Sequence, residues 1–186
     1  MPPMNRREAV KATTLLVGGV WITSTGLLDA CVPDSKRAAS SKVLSLDDQN
    51  LMEEIADTIL PTTASSPGAK AAGVGPVINL LLTDCHKPDE QQRLVEGLKD
   101  FRRKCDDRCG GAFASLPQAK REQFVREIDA EAKKAGDKHY FVLARGLALD
   151  SYFTSQVGLT KALRYMLTPG KWVGCMPLQP GQPAWG

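Results

Sequence analysis

Apolar residues that recur every three or four positions constrain this chain more than any other feature. Leu51, Met52, Ile55 and Ile59 keep that spacing in one stretch, and Leu94, Leu98, Phe101 and Cys105 keep it in another. Such a repeat lays one apolar stripe along an α-helix. No alternating run argues for a sheet. The spacing therefore predicts an all-α fold, a compact bundle of five to six helices. Ser45, with Asp48 three residues on, reads as the cap of a first helix that ends before Pro61. Pro76 suits the first turn of a second. There Val77, Ile78, Leu80, Leu81 and Leu82 leave no clear polar face, which predicts a helix central to the core. Pro88, Asp89 and Glu90 open a third, which Gly110 and Gly111 stop. After Pro117, Phe124, Val125 and Ile128 form an inner face. Lys120, Arg121, Glu122 and Glu131 belong to a mixed-charge outer face, which reads as solvated. Gly136 breaks the chain before a helix carrying Tyr140, Phe141, Leu143, Leu147, Ala148 and Tyr152. Thr154 or Ser155 caps a short last helix, expected to run through Val157, Leu159, Leu163, Tyr165 and Met166.

Two stretches resist regular structure. Leu60–Gly75 is a long connection rich in Pro, Ser, Thr and Gly, and loops of that length in a compact domain are either functional or plain surface linkers. From Thr168 the chain becomes an irregular Pro- and Gly-rich tail that still carries Trp172, Val173, Met176, Leu178 and Trp185. Burying one large apolar side chain gains roughly 1.5–3 kcal/mol, so the tail is expected to lie against a surface. Two coverings fit: the chain's own helices, or a partner protein across which the tail is strapped.

The N-terminal stretch Asn5–Cys31 has a different logic. A basic head (Arg6, Arg7, Lys11) precedes a charge-free apolar run from Ala12 to Leu28, and a small residue follows at a candidate cut. That is the layout of an export signal, weakly apolar because of its glycines and hydroxyl residues, rather than of a permanent membrane span. The arginine pair, followed by Ala9, Val10 and Lys11, resembles a twin-arginine signal, which exports proteins already folded. Ala9 and Val10 stand where that signal usually has a bulky aromatic. Leu28–Cys31 resembles a lipobox, with Cys31 the lipidation candidate and Asp29 unusual within it. Such a lipid would anchor the chain to the membrane. The expected organisation is an export signal over 1–30, a tether over 31–44, and a helical domain over 45–186.

Charge and cysteine content narrow the chemistry. The net charge is +3, and setting aside the signal's three cations and two anions leaves +2, which gives no electrostatic case for nucleic acid. Two histidines argue against catalysis built on imidazole. Besides Cys31 there are four cysteines, an even number for an oxidising compartment. Cys85–Cys175 with Cys105–Cys109 is the favoured pairing, free buried thiols the alternative. The second pair lies one helical turn apart and needs local distortion to close. No Gly-rich phosphate loop, Walker pattern or c-type haem attachment motif is present. Cys105 and Cys109 lack the further ligands that a zinc or iron–sulfur site requires. Asp84-Cys85-His86 sets a thiol beside an imidazole, yet catalytic Cys–His pairs converge in space rather than in sequence. No catalytic, cofactor-binding or metal-binding residue is therefore expected in this chain.

In order along the chain, NRRE, LSLDDQNLMEEIADTILPTT, PGAKAAGVGPVINLLLTDC, GLALDSYFTSQVG, ALRY and PGKWVGCMPL resemble the gluconate 2-dehydrogenase subunit 3 family. The resemblance runs from Asn5 to Trp185 and is weakest over 102–138. It implies a non-catalytic small subunit that accompanies a large FAD-containing oxidoreductase of the glucose–methanol–choline type, and often a c-type cytochrome carrying haem. Such complexes oxidise sugars, sugar acids, polyols or glucosides in the periplasm, and some relatives serve glucoside 3-dehydrogenases. The small subunit's twin-arginine signal carries out the folded flavoprotein through the twin-arginine export machinery. Candidate partner-interface residues are Asp57, Tyr152, Arg164, Trp172 and Trp185, with Tyr152 as a core residue and an Arg164 helix cap or Arg164–Asp57 pair as the structural alternatives. Other functional readings are a stand-alone envelope lipoprotein with a structural role and, last, a thiol enzyme using Cys85 and His86.

Overall fold

The computed structural model describes residues 43–168, 170 and 174–185. The expected export signal with Arg6 and Arg7, the lipidation candidate Cys31 and the interface candidate Trp172 lie outside the described residues. Five α-helices follow one another: α1 (Leu46–Ile59), α2 (Val74–Cys85), α3 (Pro88–Cys109), α4 (Gln118–Ala135) and α5 (Tyr140–Phe153). Short 3-10 turns at Lys70–Ala72 and Phe113–Ser115 precede α2 and α4, and a π-helical turn at Gly158–Ala162 follows α5. Among the described residues there is no strand, only an isolated parallel bridge between Arg164 and Trp185. The fold is the all-α bundle that the apolar spacing predicts.

Local chemistry explains the boundaries. Ser45 Oγ accepts from the backbone N–H of Asp48 at 3.1 Å and donates to the Asp48 carboxylate at 2.7 Å, closing the first turn of α1. The segment before it is also held: Leu44 is fully buried, its N–H donates to Asn79 Oδ1 (2.9 Å) and its carbonyl accepts from Gln49 Nε2 (3.1 Å). Two buried amides thus fasten the chain's approach between α1 and α2. Gly73, at φ 63°, makes the left-handed turn from which α2 starts, three residues ahead of Pro76. His139 caps α5, its Nδ1 accepting from Phe141 N–H at 3.2 Å. Burial, with the Lys104 charge nearby, holds that imidazole below its usual titration range, so it stays the neutral acceptor the cap requires.

The core differs from expectation in one respect. α2 is not its centre: Val77 and Leu80 face solvent while Ile78 and Leu82 are buried. The central helix is α5, which packs against α1, α2, α3 and α4, whereas α2 packs mainly on α1 and α5. Tyr140, Phe141, Ala144, Leu147, Ala148, Ser151 and Tyr152 are all buried along α5. Gly97 of α3 lets the Tyr140 ring lie directly on the helix backbone, since a Cβ there would sit 2.0 Å from the ring. One turn further along α3, Phe101 packs edge-on against Phe113 and Phe124, with centroids 5.1 and 5.0 Å away. The outer face of α4 is also less free than its charge pattern suggests. Arg121 reaches Glu54 of α1 at 2.8 Å, and Glu131 takes Lys104 (2.7 Å) and Arg108 (2.8 Å) of α3. The helix expected to run through Tyr165 and Met166 ends at Ala162. Leu163 is extended there, and Tyr165 and Met166 stand exposed.

Candidate functional site

The connection between α1 and α2 is built, not slack. Leu60 closes α1 through its N–H to Ala56 O at 2.8 Å, and its own carbonyl accepts from Ala69 N–H at 2.9 Å. Thr62 Oγ1 accepts from Gly68 N–H at 2.9 Å, and Thr63 exchanges hydrogen bonds with Ser66 across the tip. Gly68 is required by space: a Cβ would lie 2.7–2.9 Å from Thr62 N, Asp57 Oδ1 and Leu60 O. The tip, residues 62–65, is exposed.

Two sequence candidates hold this loop from beneath. Asp57, on α1, accepts from Lys70 N–H at 3.1 Å and so caps the 3-10 turn from a distance of thirteen residues. Tyr152, on α5, is buried, and its hydroxyl donates to the Pro67 carbonyl at 2.6 Å. That hydroxyl has one proton, so the Ser66 hydroxyl 2.7 Å away is the donor in their mutual bond. Tyr152 is therefore a core residue that positions the loop. Lys70 and Arg121 both pair with Glu54 next to the loop's base. Tyr152→Phe keeps the ring and removes the latch, leaving the Pro67 carbonyl with the weaker Ser66 contact. We expect a loss of about 1–2 kcal/mol, with faster protease cleavage between residues 61 and 70 than in the wild type.

The other described candidates, Arg164 and Trp185, meet each other. Arg164 does not pair with Asp57 and caps no helix. Its guanidinium lies 4.2 Å from the Trp185 ring centroid, and its N–H donates to Ala184 O at 2.8 Å. Arg164 and Trp185 thus bring together two stretches 21 residues apart in sequence. Leu167 and Leu178, between them in sequence, are each 83 % exposed.

The four described cysteines, Cys85, Cys105, Cys109 and Cys175, stand as free thiols in this structure. Cys85 and Cys175 are exposed. Cys105 and Cys109 sit one turn apart inside regular α3, where closure would distort the helix. Burial, together with the neighbouring Cys109, pushes the Cys105 thiol up to about 11, and it donates to Gly111 O at 3.4 Å. His86 beside Cys85 is engaged with Glu90, Nδ1 to Oε2 at 3.1 Å. Among the described residues no group of three His, Cys, Asp or Glu side chains could hold a metal ion, and no helix is long and apolar enough to cross a membrane.

The features brought together are thus scaffolding and surface: a latched loop on one side of α5 and a clasped, apolar C-terminal segment after it. Comparison with known proteins gives that scaffold a place. The family described as gluconate 2-dehydrogenase subunit 3 matches residues 47–170, two thirds of the chain, from the first turn of α1 to the beginning of the C-terminal segment. No curated protein and no solved structure matches. The chain belongs to the gluconate 2-dehydrogenase subunit 3 family, and is by itself an accessory subunit of an oxidoreductase rather than an enzyme.

Proposed function

We propose that this chain is the small subunit of a periplasmic FAD-dependent dehydrogenase acting on sugars, sugar acids or glucosides, and that it stabilises the flavoprotein chain and supplies its twin-arginine export signal. The observation that carries the reading is the family match over 47–170 joined in one chain to the basic head and apolar run of Asn5–Cys31. A flavin is bound only by a folded protein, so the flavoprotein must cross the membrane folded, and a twin-arginine route meets that demand. The helical body suits an escort. Its core is closed, its charged side chains are largely paired with one another, and the residues at its functional loop hold backbone rather than reach for a substrate. FAD belongs to the large partner in this reading, and haem, where a cytochrome joins, to a third chain.

Replacing Arg6 and Arg7 together by lysine tests the export role. Fractionation of cells expressing the chain with its flavoprotein partner should move at least nine-tenths of the flavin-dependent dye-reducing activity from the periplasm to the cytoplasm. Activity that stays periplasmic with the double variant, or with this chain deleted, overturns the escort role and favours the stand-alone envelope protein.

A further inference from the structure

The apolar side chains left in water are concentrated after α5. Leu167 and Leu178 are 83 % exposed, Met176 is 54 % exposed, and Tyr165, Met166 and Trp185 lie between 39 and 47 %. At roughly 200 Å² per large side chain these fractions amount to about 700 Å². One partner in a standard interface contributes about 800 Å². The two ends of the segment are also held before anything covers it. The parallel bridge from Arg164 to Trp185, the 2.8 Å hydrogen bond from Arg164 N–H to Ala184 O and the guanidinium stacked on the indole join them. Gly158 seats the preceding π turn on the carbonyl of Tyr152. A segment fixed at both ends loses less freedom on docking than a loose tail.

We propose that the described residues of the segment after α5, 163–168 and 174–185, form the docking surface of this subunit, that Leu167, Met176 and Leu178 insert into the catalytic flavoprotein chain, and that Arg164 and Trp185 act as the clasp that presents them. This deepens the small-subunit reading and rests on it. The occupant follows from that membership: a dehydrogenase subunit has a larger chain to cover it, and joint export as a folded complex keeps this surface out of water from assembly onward. A second copy fits less well. A two-fold contact must be self-complementary, and this surface, over its described residues, holds neither a helix nor a strand face with which to pair.

The test uses the full chain, tagged at its C-terminus and expressed with its flavoprotein, as wild type and as Leu167→Ser/Leu178→Ser. Both leucines are exposed, so the helical circular dichroism and melting of the variant should match the wild type. The expected result is at least a tenfold fall in co-purified flavin, read from absorbance bands that bleach on adding an oxidisable sugar. Arg164→Ala should reduce recovery less, because it loosens the clasp and spares the inserted side chains. Wild-type recovery by the double variant overturns the docking surface while leaving the subunit reading intact. A wild-type chain that brings down no flavin overturns both. Sedimentation of the isolated chain as a dimer that the double substitution converts to monomer assigns the surface to a second copy and overturns the flavoprotein as occupant.

Discussion

Gly97→Ala lowers the melting temperature of the purified chain, although alanine is the better helix former. In the middle of a helix that exchange is ordinarily worth about 0.5–1 kcal/mol in alanine's favour. Here the added Cβ would lie 2.0 Å from Tyr140 Cγ and 2.4 Å from its Cβ and Cδ2. Tyr140 is buried between α3 and α5, so neither its ring nor its stem can step aside without parting the two helices. Overpacking of that kind costs roughly 1–3 kcal/mol, and at about 2–4 °C per kcal/mol for a chain of this size the midpoint should fall by some degrees. Gly146→Ala on α5 is the matched control. No atom lies within 4 Å of its Cβ position, so there the helix-propensity gain should appear unopposed. Thermal melts followed by circular dichroism check both. An unchanged or raised midpoint for Gly97→Ala would show that the Tyr140 ring does not lie on the α3 backbone.

The second large effect is local. A Cβ on Gly158 would sit 2.0 Å from the Tyr152 carbonyl oxygen, 2.8 Å from its carbon and 3.0 Å from Phe153 Cα. These are backbone atoms at the end of the central helix, and no rotamer change relieves the overlap. The π turn must lift, and the segment after it loses its seat. Because α1–α5 close the core without this turn, the chain has a cheaper response than global unfolding: it can release its end. Gly158→Ala should therefore keep the bundle's melting transition nearly intact, while trypsin cuts at Lys161 and Arg164 many times faster than in wild type. Mass spectrometry of a timed digest measures this. Cleavage at the wild-type rate would mean that the close approach is absent.

These two glycines show where sequence reasoning stopped. The outer limits of α1, α3 and α4 were legible because their caps are local: Ser45 with Asp48, Pro88 with two acids, Pro117, Gly110 and Gly136 each act within a turn. The stripe Leu94, Leu98, Phe101, Cys105 was legible for the same reason, and all four are buried. Gly97 lies on that stripe too, and its only signal was a glycine inside a helical pattern. Which helix is central is a property of neighbours. The apolar run of α2 is denser than that of α5, yet α5 meets four helices and α2 stands at the side with Val77 and Leu80 uncovered. Asp57 and Tyr152 hold backbone of the α1–α2 connection. Their partners, Lys70 N–H and the Pro67 carbonyl, are backbone groups that carry no residue-type signal, one of them 85 positions away. The meeting of Arg164 and Trp185 is a long-range closure that no periodicity announces. Tyr165 and Met166 continue the apolar spacing of the final helix past Leu163, but the backbone turns extended there and the helix ends at Ala162.

The central claim, that this chain works as the accessory subunit of a flavin-dependent dehydrogenase, is tested most directly by one spectrum. The tagged chain is purified from the cell envelope under mild detergent at its native expression level, and visible absorption is recorded on what comes with it. The account predicts flavin bands from a co-purifying large chain, bleached when a sugar, sugar acid or glucoside substrate is added. A colourless, solitary small protein would contradict it.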